Sequence, residues 1–183
     1  MDSVLLPIGL PGGMCVGLPG IPDGSGLVWG AAEVRYLDRD TYRLWRACAA
    51  VPTPAQLLAW AADEGIEDAA ASVDELISTE LLIADYPQRL DSLTMRVVGE
   101  GLGNGDGSTS FFRMKGRDGE TVDISPLLFA LAMSSDGATP LAELCASLDE
   151  SNGGSEERRE EIVAGLPSIV RAGVVRLEIG GKP

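Results

Sequence analysis

The chain has 183 residues, of which 45% are hydrophobic, so it can form packed cores and is not a wholly disordered protein. Its formal net charge is −14: residues 1–90 carry 13 acidic and 5 basic side chains, and residues 91–183 carry 15 and 9. Both halves repel a phosphate backbone, whose neutralisation supplies most non-specific affinity, so we expect no nucleic-acid partner.

The chain contains no histidine, and its three cysteines, Cys15, Cys48 and Cys145, are scattered. Without histidine, His-based activation of a nucleophile and His ligation of a metal are excluded, and the cysteines lack zinc-site spacing. We therefore predict no metal, no cofactor and no enzymatic activity, with the cysteines reduced and buried. The sequence has no apolar run long enough to cross a membrane and its N-terminus lacks the basic region of a secretion signal, so we expect a cytoplasmic protein with no membrane partner.

The first half opens with short apolar segments separated by glycine and proline, which predict short strands joined by turns. The segment EVRYLD (33–38) alternates and predicts a strand. The segment DTYRLWRACAA predicts a helix with Asp40 as its N-cap. The apolar face of this helix consists of Tyr42, Leu44, Trp45 and Cys48.

Two further helices are predicted in the first half. Thr53 precedes a proline and an apolar run, so Thr53 is expected at the N-cap, with Gln56 completing a capping box and Gly65 near the helix end. A second capping box, Ser72 and Glu75, predicts the start of the third helix, which leads into the short strand LLIA.

The second half begins with predicted strands in LTMRVVGEG and SFFRMKG, which lie around the glycine-rich segment GEGLGNGDGS. A phosphate-binding loop should open a helix, whereas this segment leads into a strand, so we interpret it as a hairpin loop. GETVDIS predicts another strand, paired with the one before it through the turn GRDG at 116–119.

Three helices follow, as in the first half. The first begins at Ser125-Pro126 and the second after Thr139, which again precedes a proline. The third, RREEIVAGLPSIVRAG, contains Pro167, where we expect a kink or a break, and it ends at Gly173 before the strand VVRLEI. The charged pairs at its start predict a solvated helix face rather than paired acid–base catalysis.

The same order of elements in both halves predicts an internal duplication. We predict an α+β protein of two tandem winged-helix-like units, residues 1–90 and 91–183, each with a small antiparallel sheet and three helices. Winged helices commonly read DNA with the third helix. The first of these helices offers no basic residue, and the second alternates arginine with glutamate, so neither resembles a DNA-reading helix.

Residues 122–178 resemble the PqqD-like family of winged-helix recognition elements for precursor peptides in ribosomal natural-product biosynthesis. The resemblance rests on a strand ending in Ile124-Ser125, an apolar helix at 127–131, an Asp136-Gly137 turn with Thr139, and Ile169 before Gly173-Val174-Val175. The first half matches in its strand, helix and Thr-Pro, but it lacks the Asp-Gly turn.

The resemblance implies that a leader peptide adds as a strand to a sheet edge and fills a groove beside the third helix. The implied contacts in the second half are Thr121, Val122, Asp123, Ile124, Arg158, Arg159 and Ile162, and in the first half Val34, Arg35 and Tyr36. Alternatively, Val122, Ile124 and Ile162 are ordinary core residues. The acidic chain favours basic peptides or basic partner proteins.

We therefore expect a non-catalytic recognition or scaffold protein that binds a precursor peptide and a partner modifying enzyme, and this interpretation allows a homodimer. Two alternatives stay open. The first is a winged-helix transcriptional regulator, and the second is a non-catalytic subunit of an enzyme complex whose cofactor site is completed by a partner.

Overall fold

The computed structural model describes residues 4–30, 33–51, 53–84, 86–103, 111–117, 119–150 and 156–180. Within these ranges the chain is an α+β protein of helices and small antiparallel sheets. Its contacts divide it into two compact units, Met1–Tyr86 and Pro87–Pro183, which we call unit 1 and unit 2. The boundary lies close to position 90, where the sequence predicted it.

The strands of unit 1 form a two-stranded ribbon and a three-stranded sheet, both antiparallel. The ribbon pairs the first strand of the unit with the last, and the three strands between them in sequence form the sheet in the order β2-β3-β4. The five strands are β1 (Leu5–Pro7), β2 (Leu10–Met14), β3 (Gly26–Trp29), β4 (Val34–Leu37) and β5 (Leu82–Ala84).

The helices of unit 1 are α1 (Arg39–Ala47), α2 (Pro54–Asp63) and α3 (Ala69–Ser78). The N-cap of α1 is Asp38, and the prediction of Asp40 is wrong. Asp38 accepts hydrogen bonds from the N–H groups of Asp40 and Thr41, at 3.0 Å each. Partial burial raises the pKa of Asp38, but the hydrogen bonds from Thr41 and Asp40 outweigh it and hold this pKa below its usual value.

The two capping boxes predicted in unit 1 have different outcomes. The Thr53 hydroxyl accepts the Gln56 N–H at 3.3 Å, which confirms Thr53 as the cap of α2. The Gln56 side-chain oxygen accepts a hydrogen bond from the Thr53 hydroxyl, at 2.9 Å, rather than from the Thr53 N–H that a capping box requires. The second box is wrong, because α3 begins after Asp68, whose left-handed backbone (φ 53°) turns the chain into the helix. Ser72 therefore lies inside the helix, where its hydroxyl oxygen is 3.4 Å from the hydroxyl of Thr41, which donates to it.

The core of unit 1 lies between the helices and the inner sides of the strands. The predicted apolar face of α1 is buried, and the Trp45 indole N–H donates to the Leu81 carbonyl at 3.0 Å. The buried residues of this cluster are Leu5, Val28, Tyr42, Leu44, Trp45, Cys48, Leu57, Ala61, Ile66, Val73, Leu76, Leu81 and Leu82. All three cysteines of the chain are buried and free of disulfide bonds.

The strands of unit 2 also form a ribbon and a three-stranded sheet. The predicted GRDG turn is confirmed, because the Gly119 N–H donates to the Gly116 carbonyl at 3.0 Å between the paired third and fourth strands. Part of the predicted glycine-rich loop forms the second strand, and positions 104–110 lie outside the described residues. The five strands are β6 (Leu93–Val97), β7 (Glu100–Gly103), β8 (Phe112–Lys115), β9 (Thr121–Ile124) and β10 (Val175–Ile179).

The helices of unit 2 are α4 (Pro126–Ser134), α5 (Leu141–Glu150) and α6 (Glu156–Arg171). Ser125 caps α4 as predicted, because its hydroxyl accepts the Leu128 N–H at 3.3 Å.

The prediction of Thr139 as the N-cap of α5 is wrong, because Thr139 belongs to a turn formed by Asp136 and the helix begins one residue later than predicted. Asp136 accepts the N–H groups of Ala138 and Thr139, and the Thr139 hydroxyl also donates to Asp136. The Leu144 N–H donates to the carbonyl of Pro140, so the helix starts after the proline.

Helix α6 continues through Pro167, so the alternative of a break at this residue is wrong. The predicted end at Gly173 is confirmed, because Gly173 has a left-handed backbone (φ 66°) and the Val174 N–H donates to the Ile169 carbonyl. In unit 1 Glu80 has the same left-handed backbone conformation (φ 59°). The Leu81 N–H donates to the Leu76 carbonyl, five residues earlier, as the Val174 N–H does to Ile169.

The two units share the order of their elements: a ribbon strand, a three-stranded sheet, three helices and the second ribbon strand. The first strand of each sheet has a register shift at a corresponding place, between Pro11 and Gly13 and between Gly101 and Gly103. Because the pairings and helix ends correspond, positions in one unit can be matched to positions in the other.

Candidate peptide-binding site

Strand β9 is an edge strand, as the sequence analysis required of a peptide-binding strand. It occupies one end of the order β7-β8-β9, and among the described strands it pairs with β8 alone. An unpaired side of a strand presents a row of N–H and C=O groups to any extended segment that arrives there.

The register of β9 decides which of its backbone groups face this open side. The Gly116 N–H donates to the Glu120 carbonyl at 2.8 Å, so this cross-strand pair is hydrogen-bonded. Antiparallel pairs alternate in this respect, which makes Val122 a second hydrogen-bonded position, directed at β8. The backbone groups of Thr121 and Asp123 therefore point away from β8. These two residues are the ones that an added strand would bond.

The side chains of β9 alternate between a buried and an exposed face. Thr121 and Asp123 are exposed, Val122 is half-buried, and Ile124 is 2% exposed. Helix α6 packs against β9, and its Ile162 is also 2% exposed. Ile124 and Ile162 are thus core residues, the alternative that the sequence left open. Val122 is the apolar side chain of this strand that a ligand beside it could still contact.

Asp123 has a fixed partner that the sequence analysis did not identify. The Arg113 guanidinium donates two hydrogen bonds to its carboxylate, at 2.7 and 2.9 Å, across the β8–β9 pair. Arg113 therefore holds the pKa of Asp123 below its usual value. The signal was available in sequence, because the turn at 116–119 places these two residues opposite each other.

The two arginines predicted on α6 have different environments. Arg158 is half-buried and lies one helical turn before Ile162, so the two side chains share a face. Arg159 is exposed and lies on an adjacent face. Arg158 is therefore the arginine that lies on the same side of α6 as the core contact with β9.

The corresponding strand of unit 1 is β4, which is also an edge strand. The Gly30 N–H donates to the Glu33 carbonyl at 2.8 Å, so by the same alternation Val34 and Tyr36 direct their backbone groups outward. Arg35 faces β3 with its backbone, and its side chain donates to Glu33 at 2.6 Å. Val34 and Tyr36 thus match Thr121 and Asp123.

Unit 1 lacks a counterpart for the start of α6. When the helix ends at Glu80 and Gly173 are matched, Ala69, the first residue of α3, corresponds to Ile162. Residues 156–161, which include both arginines, extend beyond the start of α3. The two predicted arginines of α6 therefore have no counterpart in α3, and unit 1 matches the predicted contacts of unit 2 only along the strand.

The described residues contain no group of three or more Asp, Glu or Cys side chains arranged to hold a metal, and the sequence has no histidine. In the described part of the chain, no helix combines the length and apolarity needed to cross a bilayer. In comparisons with known proteins, no protein-family model matches the chain and no curated protein is significantly similar to it.

Proposed function

We propose that the chain is a non-catalytic peptide-recognition protein of two tandem winged-helix-like units, related to the PqqD-like family. In this proposal it binds a precursor peptide and a partner modifying enzyme in ribosomal natural-product biosynthesis, in the cytoplasm. The observation that carries the proposal is the open edge of β9, backed by α6. A three-helix unit whose third helix leads into one strand of a two-stranded ribbon is compatible with a winged helix.

The edge of β9 offers a ligand both register and selectivity. Thr121 and Asp123 supply outward N–H and C=O groups, which are two donors and two acceptors at alternate positions. Val122 supplies a half-buried apolar contact on the side of α6. Backbone bonds would set the register of an added peptide, and its apolar side chains would be selected beside Val122.

The test compares two substitutions at one position. Thr121→Pro removes an outward N–H at the first residue of an edge strand, where proline is tolerated. Thr121→Ala keeps this N–H. A peptide selected from a random display library on the immobilised wild-type protein should lose about tenfold in affinity with Thr121→Pro and little with Thr121→Ala, as measured by fluorescence anisotropy.

Val122→Pro is the wrong variant for this purpose. The Val122 N–H faces β8, so proline there removes a bond within the sheet and should unfold unit 2. Circular dichroism establishes that Thr121→Pro is folded. Equal affinities for the wild type and a folded Thr121→Pro variant would refute strand addition at β9, and enrichment of no peptide would refute the peptide-binding function.

A further inference from the structure

The sheet of unit 1 has an apolar face directed at solvent. Leu27 pairs with Tyr36 and Trp29 with Val34, and the four side chains lie on the face opposite to buried Val28. We call these four residues the outer sheet face. Trp29 is 45% exposed and Tyr36 is 50% exposed, although both are large aromatic side chains. Single exposed apolar residues are ordinary, whereas two exposed aromatic side chains beside the half-buried Leu27 and Val34 form a patch.

A glycine in the neighbouring strand leaves room for the Trp29 side chain on this face. A Cβ atom at Gly12 in β2 would overlap the Leu27 side chain and would lie 2.5 Å from Trp29 Nε1. The absence of a side chain at Gly12 therefore lets the indole lie over β2. This explains the glycine at that position of the strand.

The corresponding face of unit 2 has the opposite character. The matched cross-strand pairs are Arg113 with Asp123 and Lys115 with Thr121, and all four side chains are polar or charged. The three-stranded sheet of unit 2 therefore forms with polar side chains at all four matched positions. The apolar residues of unit 1 are consequently not required by the fold at these positions.

The charge around the outer sheet face indicates what covers it. Residues 1–86 carry 13 acidic and 4 basic side chains. Asp38 directly follows β4, where it caps α1 and precedes the exposed Arg39, and Asp23 lies in the connection between β2 and β3. The arginine within β4, Arg35, is paired with Glu33. A second copy of this chain would bring like charges together, whereas a basic partner would be attracted.

We propose that the outer sheet face of unit 1 is a docking surface for a basic, apolar protein segment, separate from the peptide edge of β9. The segment carries both Lys or Arg and apolar side chains on the side that faces the sheet. Its apolar groups cover Leu27 and Val34, and its cations lie over the rings of Trp29 and Tyr36. This inference does not depend on the function proposed for β9.

The test uses a labelled short peptide with the repeat Lys-Lys-Val-Val, which places both residue types on each side of an extended chain, and a matched peptide with the repeat Glu-Glu-Val-Val. The double variant Trp29→Lys and Tyr36→Asp gives unit 1 the residues found at the matched positions of unit 2 and leaves the net charge unchanged. It should weaken binding of the lysine peptide about tenfold, as measured by fluorescence anisotropy. Met133→Gln removes another exposed apolar side chain, in unit 2, and should not change this affinity.

A measurement on the wild-type protein keeps the test valid if the double variant misfolds. Addition of the lysine peptide should shift the NMR signal of the Trp29 indole N–H and leave those of Trp45 and Trp60 in place. Three results would overturn the proposal: equal affinity for wild type and folded variant, equal affinity for the glutamate peptide, or an unmoved Trp29 signal. A wild-type dimer that the double variant converts to monomers would assign the face to a second copy instead.

Discussion

Gly26 in β3 is a position where the addition of a single methyl group should lower the free energy of unfolding substantially. An added Cβ atom would overlap Cγ and Cδ2 of the Tyr42 ring, far inside the 3.4 Å of ordinary van der Waals contact. Tyr42 is 5% exposed and stacks on Trp45, with ring centroids 5.9 Å apart, so the ring has little room to move. Gly26→Ala therefore forces a core rearrangement.

The magnitude follows from two opposing effects. Overpacking of a closed core costs about 1–3 kcal/mol, and the absence of free space around Tyr42 places Gly26→Ala near the upper end. The loss of backbone freedom in the unfolded chain returns about 0.4–1 kcal/mol. We expect Gly26→Ala to lower the free energy of unfolding of unit 1 by about 2 kcal/mol.

Urea unfolding followed by tryptophan fluorescence is the suitable assay, because all three tryptophans of the chain lie in unit 1. Gly101→Ala, the same substitution in a strand of the other sheet, is the control. Its Cβ atom would lie 3.8 Å from Phe129 Cε2, an ordinary contact, so circular dichroism should show little change in unit 2. An unfolding midpoint for Gly26→Ala equal to that of the wild type would refute the close packing of Tyr42 against β3.

Three other outcomes are expected. The pKa of Asp136 is about 2, because the backbone N–H groups of Thr139 and Ala138 bind its carboxylate. The stability that this carboxylate contributes is therefore present above its ordinary pKa of 3.8 and is lost as the pH falls toward 2. Asp136→Asn should weaken this loss in acid unfolding monitored by circular dichroism, and an acid profile identical to that of the wild type would contradict the assignment. Burial raises the pKa of the Cys48 thiol to about 12, so native protein should not react there with a thiol reagent at pH 8, whereas rapid native labelling located by mass spectrometry would show that α1 opens. Gly173→Ala places a side chain at φ 66° and should lower the stability of unit 2 by about 1 kcal/mol in urea unfolding, and a neutral effect would argue against this backbone conformation.

Local signals predicted most helices because the polar groups at a helix start need partners wherever the helix lies. Thr53 and Ser125 each precede a proline and an apolar run, and each caps its helix. Asp40 was wrong because Asp38, two residues earlier, is an equally good acceptor and follows the strand directly. Helix α3 begins after Asp68 because of the left-handed backbone conformation of that residue, and the capping-box pattern at Ser72 and Glu75 does not predict this conformation.

The candidate site shows a different limit of sequence reasoning. The alternation in β9 correctly indicated a strand with an apolar face. Which N–H groups point outward depends on a single cross-strand bond, from Gly116 to Glu120, and shifting the hairpin by one residue would exchange Val122 with its neighbours. The choice of Thr121 over Val122 as the test position therefore required the register.

Core packing constrains the residue types at some matched positions of the two units and leaves those at other positions free to differ. Matched positions in the third helices remain buried and apolar, as Val73 with Leu166 and Leu76 with Ile169 show, because any loss there would open a cavity in each core. The outer sheet faces carry no such constraint, and there Trp29 corresponds to Lys115. Two exposed aromatic side chains on one face, Trp29 and Tyr36, at positions where the sister unit carries lysine and aspartate, require an explanation outside the fold. The same reasoning applies to residues 156–161 of α6, which extend past the start of α3. The two features lie on different units and different kinds of surface, so the two binding tests change different residues and can fail independently.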